Sequence, residues 1–270
     1  MKINKIFKKN LNLIYNSNKP YPHINVKNFF VDKEIIIKAN NEFLNFDNWD
    51  GEKNFYGSVG KRWCSTYKKF PKNTKRIIDF LNSKKFIKQI ERLTGIKNLI
   101  ADNTYFEGGG MHQTVKGGFL KVHSDFNYHE RLKLYRRLNI LLYISENWKK
   151  KYLGQLKLYD EKKVSKVSIK PIFNSACIFN TTDSSFHGYP EPIKNPISFP
   201  RNSIALYYYT RLPSDNFGER GKNLNTNYIS VNKNENLENE RLKNYLRDIF
   251  FHPLTFLKKI KKFILYGYRS

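Results

Sequence analysis

Apolar positions along the chain change their period twice. Up to about residue 100 they recur at three- and four-residue spacing, the mark of helices with one buried face. VDKEIIIKANNEFLNF (31–46) is amphipathic, with Asp32 placed to cap it. NTKRIIDFLNS (73–83) and SKKFIKQIERLTG (83–95) repeat the pattern. In the second, Phe86, Ile90 and Leu93 share a face and Gly95 is the expected stop. A loop and short strand, PYPHINVKNFF, come before them. Over 101–213 the pattern shortens to runs such as GGFLKV, RLNILLYIS, GQLKLYD, KVSIKPI, SACIFN and NSIALYYYT. They are rich in β-branched and aromatic residues and are separated by turn formers. Leu156 and Leu158 alternate with Gln155, Lys157 and Tyr159, as in a half-buried strand. RLNILLYIS is apolar on both faces, which predicts a central strand. Many short strands at even spacing predict a sandwich or jelly roll. Residues 214–240 are polar, and a helix follows with Leu242, Leu246 and Ile249 on one face, broken at Pro253.

Three parts are therefore expected. Residues 1–100 form a mostly helical scaffold within the same domain as the barrel. Residues 101–213 form a strand-built core, and 214–270 a polar linker with a basic helical tail. The tail LTFLKKIKKFILY sets Leu257, Ile260 and Ile264 against Lys258, Lys261 and Lys262. Over 253–270 it fits either an anionic membrane surface or the protein's own body.

Composition narrows the classes. With 270 residues, 40% hydrophobic and 16% aromatic, the chain has ample material for a core. Two cysteines exclude a disulfide scaffold and a four-cysteine zinc site. No apolar run is long enough to span a bilayer. The basic start has too short and too interrupted an apolar stretch for a secretory signal, so a cytoplasmic location is expected, peripheral to a membrane if the tail binds one. The net charge of +26 would ordinarily suggest a nucleic-acid partner. Asn, Ile, Phe and Tyr are abundant as well, and they share A/T-rich codons with Lys. No nucleic-acid-binding module is visible, so that partner is disfavoured.

The chemistry gathers around His123-Ser124-Asp125, just after GGFLKV, and His187, just after SACIFN. Residues i and i+2 of an extended chain point the same way, so His123 and Asp125 can reach one metal while His187 arrives from a neighbouring strand. Two imidazoles and one carboxylate on one face of an octahedron leave open positions, as at non-heme Fe(II) oxygenase sites. Zinc accepts the same donors, and the donor set alone does not separate the two metals. Arg201 lies 14 residues after His187, and Ser203 follows it at i+2 on the same strand face. A guanidinium fork with a hydroxyl beside it suits a carboxylate, although Arg201 in isolation fits a structural ion pair as well. His112 and His129 flank the dyad and read as hydrogen-bonded structural residues, and Cys177 as a buried small one. Among Tyr207, Tyr208 and Tyr209, at least one should enter the core.

Together, EGGGMHQTVKGGFLKVHSDFNYHERLKLYRRLNILLYIS, FNSACIFNTTDSSFHGYPEPI and FPRNSIALYYYT resemble the 2-oxoglutarate- and Fe(II)-dependent oxygenases, prolyl 4-hydroxylase-like subgroup. The resemblance covers about 101–213, extends more loosely over 20–100 and leaves out the tail. It implies an α+β protein with a double-stranded β-helix core of the jelly-roll, cupin-like kind, N-terminal helices packed on it and a helical C-terminal tail. It implies a dioxygenase that hydroxylates an unactivated C–H bond while decarboxylating 2-oxoglutarate to succinate and CO2. His123, Asp125 and His187 would hold Fe(II), and Arg201, with Ser203, would bind the distal carboxylate of 2-oxoglutarate. O2 is the oxidant and ascorbate the supporting reductant. Two positions depart from the family pattern: an Arg stands at fourteen residues where a Lys at about ten is frequent, and Val115 stands where many members have a Tyr. Asn139 and Tyr143 are the candidates to replace that Tyr. The substrate is open between a small molecule, a lipid and a protein side chain, with the large positive charge leaning towards an anion. The alternative function is a non-catalytic jelly-roll module for a sugar or an acidic partner.

Overall fold

The helices form where the apolar period is helical. The computed structural model describes residues 1–9, 11–215, 218–219, 221–231, 236–239, 242–243 and 246. Helix α1 spans Asn12–Ser17, α2 Glu34–Leu44, α3 Lys72–Leu81 and α4 Lys84–Thr94. At the start of α4 the Ser83 hydroxyl accepts from the Phe86 N–H, and Gly95 ends the helix at φ 81°. Asp32 accepts from the Glu34 N–H at 2.9 Å, one residue before the Lys33 boundary of α2. Phe86, Ile90 and Leu93 are fully buried, each contributing roughly 2 kcal/mol through apolar burial.

The strands are β1 (His23–Val26), β2 (Gly51–Phe55), β3 (Ser58–Cys64), β4 (Ile100–Ala101), β5 (Gly110–Ser124), β6 (Tyr128–His129), β7 (Leu134–Tyr143), β8 (Leu156–Tyr159), β9 (Ser165–Ile169), β10 (Ser175–Asn180), β11 (His187–Tyr189) and β12 (Arg201–Thr210). They run antiparallel in the order β1-β10-β7-β12-β5-β11-β8-β9, with β3 also on β5 and β2 on β3. The long strand β5 serves both halves of the roll. Its residues 110–114 pair with β12, and its end, near Leu120 and His123, pairs with β11. Gly117 and Gly118 lie between the two stretches. This nearly closed sheet is a double-stranded β-helix in an α+β setting.

β7 lies between β10 and β12, where its two-faced apolarity predicted it. Leu138, Ile140 and Leu142 pack outward with the helices, alongside Ile204, Leu206 and Tyr208. Tyr143 faces inward, in one buried cluster with Cys177, Phe179, Leu156 and Leu158. A polar contact pins α2 to the outside: Asn202 donates to Asn40 at 3.0 Å and accepts from Gln113 at 3.1 Å.

The first hundred residues are less helical than their periodicity suggests. Gly51–Phe55 and Ser58–Cys64 form a hairpin that extends the sheet beside β5. β2 is a solvent-exposed edge and β3 faces a polar cavity, so neither shows an apolar alternation. Tyr159 is buried despite its place on the polar side of the β8 pattern. Tyr208 and Tyr209 are both buried, because both faces of β12 are covered: Tyr208 joins the core on the helix side, and Tyr209 packs with Phe126 and Leu134. The stretch expected to be linker also contributes a strand, as Asn227–Tyr228 pairs with the end of β5. Leu242 and Leu246 are exposed, and Ile249 and the amphipathic tail at 253–270 lie outside the described residues. No helix among the described residues is long and apolar enough to cross a membrane.

Candidate metal centre

His123 sits near the end of β5 and His187 at the start of β11, directly opposite each other in the pairing. Asp125 follows two residues after His123, and its side chain turns back towards both rings. One ligand atom from each of His123, Asp125 and His187 lies within 4.8 Å of the others. The His123 Nε2 is 3.6 Å from Asp125 Oδ1, and the His187 Nε2 is 3.4 Å from Oδ2. Small rotamer adjustments bring all three onto one ion with bonds of ~2 Å.

The local hydrogen bonds fix which ring atoms face that point. The His123 Nδ1 is 2.8 Å from the Lys121 carbonyl, and the His187 Nδ1 is 2.9 Å from the Ser185 carbonyl. A carbonyl only accepts, so each Nδ1 carries the proton and each Nε2 presents a lone pair. Burial lowers the His187 pKa to about 4, with the Asp125 charge opposing and His123 reinforcing the shift. Burial pushes Asp125 up, but Arg136, then His187 and His123, outweigh it and hold the carboxyl well below its usual range. Asp125 is therefore ionised and His187 neutral at neutral pH, and together with His123 they fit a 2-His-1-carboxylate metal site.

Asp125 is held from behind. Arg136 donates to its Oδ2 at 2.9 Å and Asn139 at 2.8 Å, and Arg136 also donates to Asn139 at 2.8 Å. Residues 136 and 139 would point to opposite faces of a regular strand. The register slip, with Tyr208 opposite Leu138 and Tyr209 opposite Arg136, inserts one residue and turns both inward. Arg136 is 1% exposed and lies 3.3 Å from the centre of the Tyr207 ring.

Arg201 is buried on the same inner face. It donates from Nε to the Gly154 carbonyl at 3.0 Å, and its guanidinium lies 4.4 Å from the Tyr189 ring and 5.0 Å from the Tyr143 ring. Among the described residues it makes no ion pair with a carboxylate, so the structural-ion-pair reading of the sequence has no partner here. Ser203 lies opposite both Tyr143 and His112. The Tyr143 hydroxyl is buried and faces the Arg201 guanidinium. Val115 lies outside the cavity, in a surface groove with Leu44 and Arg62.

Several cavity residues escaped the sequence reading. Tyr189 is two residues from His187 on the same strand face, and its hydroxyl pairs with Thr114 at 2.8 Å. Tyr228 stacks 5.4 Å from the His123 ring and touches Phe55 and Tyr56 of the β2–β3 hairpin at 5.6 Å each. Lys61 and Lys53 of that hairpin also face inward. Only Tyr189 carried a local signal, its i+2 spacing from a donor histidine. His112 is buried on the inner face and hydrogen-bonds the Gly108 carbonyl, so it belongs to the cavity wall. His129 is structural, fully buried and 3.5 Å from Asp102.

Residues 109–209 match the family profile described as the 2OG-Fe(II) oxygenase superfamily. No curated protein matches the chain. Among solved structures, a Trichoplax adhaerens prolyl hydroxylase, in complex with a hypoxia inducible factor oxygen degradation domain peptide fragment, superposes with a TM-score of 0.55 at 19% identity. That match covers 76% of this chain and 90% of the other. A Pseudomonas putida prolyl-4-hydroxylase gives 0.53 at 12% identity, covering 77% and 100%. A Phytophthora capsici prolyl 4-hydroxylase gives 0.50 at 14% identity, covering 76% and 63%. At such identities the likeness speaks for the fold and is silent on the substrate. Residues 109–209 thus carry the profile of the 2OG-Fe(II) oxygenase superfamily, on a fold similar to that of the prolyl hydroxylases.

Proposed function

We propose that His123, Asp125 and His187 hold Fe(II), that Arg201 anchors 2-oxoglutarate, and that the enzyme hydroxylates an unactivated C–H bond of its substrate. The observation that carries this reading is the convergence of the three donor atoms within 4.8 Å, with each imidazole Nδ1 bonded to a backbone carbonyl. Bound there, Fe(II) supplies O2 activation coupled to decarboxylation of 2-oxoglutarate to succinate and CO2, with ascorbate as the supporting reductant.

The protein's own part is positioning and charge. Arg136 and Asn139 occupy Asp125 Oδ2, which turns Oδ1 towards the metal position. Arg201 offers its planar fork to the distal carboxylate of 2-oxoglutarate. The Tyr143 hydroxyl, buried beside the Arg201 guanidinium, adds the hydrogen bond that Val115 cannot supply, and Ser203 stands opposite it. Tyr189 packs on Arg201 and Tyr228 on His123, so both anchors are shielded from bulk water.

The test is succinate release from 2-oxoglutarate by the iron-loaded chain, screened against metabolites and peptides. Wild type should turn over and His123→Ala should not. Arg201→Met should raise the KM for 2-oxoglutarate at least about tenfold, as expected when a charge-assisted anchor is lost. Iron-loaded, folded protein that releases no succinate, with or without added substrate, ends the proposal.

A further inference from the structure

The pairing registers place three cations in one row across the inner face. Lys53 lies opposite Lys61, Lys61 opposite Thr114, and Thr114 opposite Arg201. Directly opposed residues on adjacent strands project to the same side. Exposure falls along the row: Lys53 is exposed, Lys61 is half-buried, and Thr114 and Arg201 are buried. Like charges set opposite each other destabilise a sheet, and neither lysine makes an ion pair with a described residue. The nearest inward carboxylate, Asp125, is already held by Arg136. Burial, then the charge of Lys53, brings Lys61 down to about 7; Asp125 opposes this, and Arg201 and Arg136 add to it. The same positive charges, after burial, keep His112 neutral.

2-Oxoglutarate does not account for this row. Its distal carboxylate is matched by Arg201 and its other end by the metal, which leaves the two lysines uncompensated above them. A repulsive pair held on a cavity wall is the expected signature of a site completed by its ligand. Resting on the proposed function above, we infer that Lys61 and Lys53 form a second anion site that recognises a phosphoryl group on a small-molecule substrate and sets the rest of that molecule at the metal centre. Two ammonium groups on adjacent strands suit a doubly charged oxyanion, for which lysine serves as a point charge. A compact substrate is favoured because Tyr228 packs between Phe55, Tyr56 and His123 and sets an aromatic wall beside the metal ligands.

The test uses the full chain loaded with Ni(II) and saturating 2-oxoglutarate, so that the metal and Arg201 are occupied. Inorganic phosphate is the probe, and melting temperature and calorimetry are read against chloride at equal ionic strength. Phosphate should raise the melting temperature of wild type and of Lys85→Gln, a remote surface control. It should have little effect on Lys61→Gln or Lys53→Gln, whose phosphate affinity should fall about tenfold or more. Without phosphate both variants should melt at or above wild type, since each removes one member of a repulsive pair, and this separates lost binding from lost folding. Affinity for 2-oxoglutarate, titrated on the Ni(II) protein, should stay within about twofold. An equal phosphate response in all four proteins overturns the site. So does a loss of 2-oxoglutarate affinity in Lys61→Gln with phosphate binding kept, which would assign the lysine to the cosubstrate. Acetate acting as well as phosphate overturns the phosphoryl assignment. The phosphate arm is repeated on metal-free protein, where the lysine site persists if it exists. Failure of Ni(II) and 2-oxoglutarate binding there counts against the proposed function alone.

Discussion

Arg136 neutralises Asp125 inside the barrel, and its replacement by Met strands a buried carboxylate. Breaking such a pair from one side typically costs ~3–5 kcal/mol. Urea unfolding of metal-free Arg136→Met should show a loss of that order, and Zn(II) or Fe(II) should restore part of it by supplying a new positive charge at Asp125. A loss under ~1 kcal/mol would mean that Asn139 alone supports the carboxylate. At this scale the sequence was informative where chemistry is local. His123 and Asp125 share an extended segment, so their i,i+2 geometry is fixed by the backbone. Arg136 and Asn139 look like opposite-face strand residues until the register slip is known, and nothing in YRRLNI announces that slip.

Among elements, the β2–β3 hairpin and the strand Asn227–Tyr228 depend on each other through Gly57. A Cβ at that glycine would lie 2.6 Å from the Tyr228 ring, too close for contact. Gly57→Ala should therefore push Tyr228 away from His123. The Ile229 N–H, now bonded to the Val122 carbonyl at 2.9 Å, should exchange with solvent faster, while amides of α4 keep their protection. Unchanged exchange at Ile229 would show that the hairpin tip yields instead. A packing counterpart lies on α4: Leu93→Ala should cost ~2–5 kcal/mol by chemical denaturation, because Leu93 is fully buried. The helices were legible because their signals are short-range: period, Ser83 cap, Gly95 stop. The hairpin was not, because an edge strand and a cavity-facing strand lack the one-sided apolarity that marks strands in sequence.

Across the whole molecule, the excess of positive charge makes stability depend on pH through the cavity as well as the surface. Lys61 titrates near 7 in the folded chain and at its ordinary 10.5 when unfolded. Between those values the unfolded chain holds a proton that the folded one has released, so this residue makes stability rise with pH over that window. Below it both states are charged and the full penalty applies. The stability of wild type relative to Lys61→Gln, from urea midpoints, should improve steadily from about pH 7 to about pH 10. A difference that stays flat, or that reverses sign with pH, would show that Lys61 reaches solvent freely.

The amino-acid sequence by itself determined the helices of the N-terminal part, the two-faced central strand β7, and the shared direction of His123 and Asp125. Each of these is written in spacings of a few residues, where backbone geometry alone dictates direction. The tertiary structure decided what depends on pairing between distant segments. It put Tyr143 beside Arg201 where Val115 could not reach, turned Arg136 and Asn139 onto one carboxylate, and aligned Lys53 and Lys61 with Arg201 across four strands. Strand register is a collective outcome of closing the barrel, and a shift of one residue would have sent every one of those side chains to the opposite face.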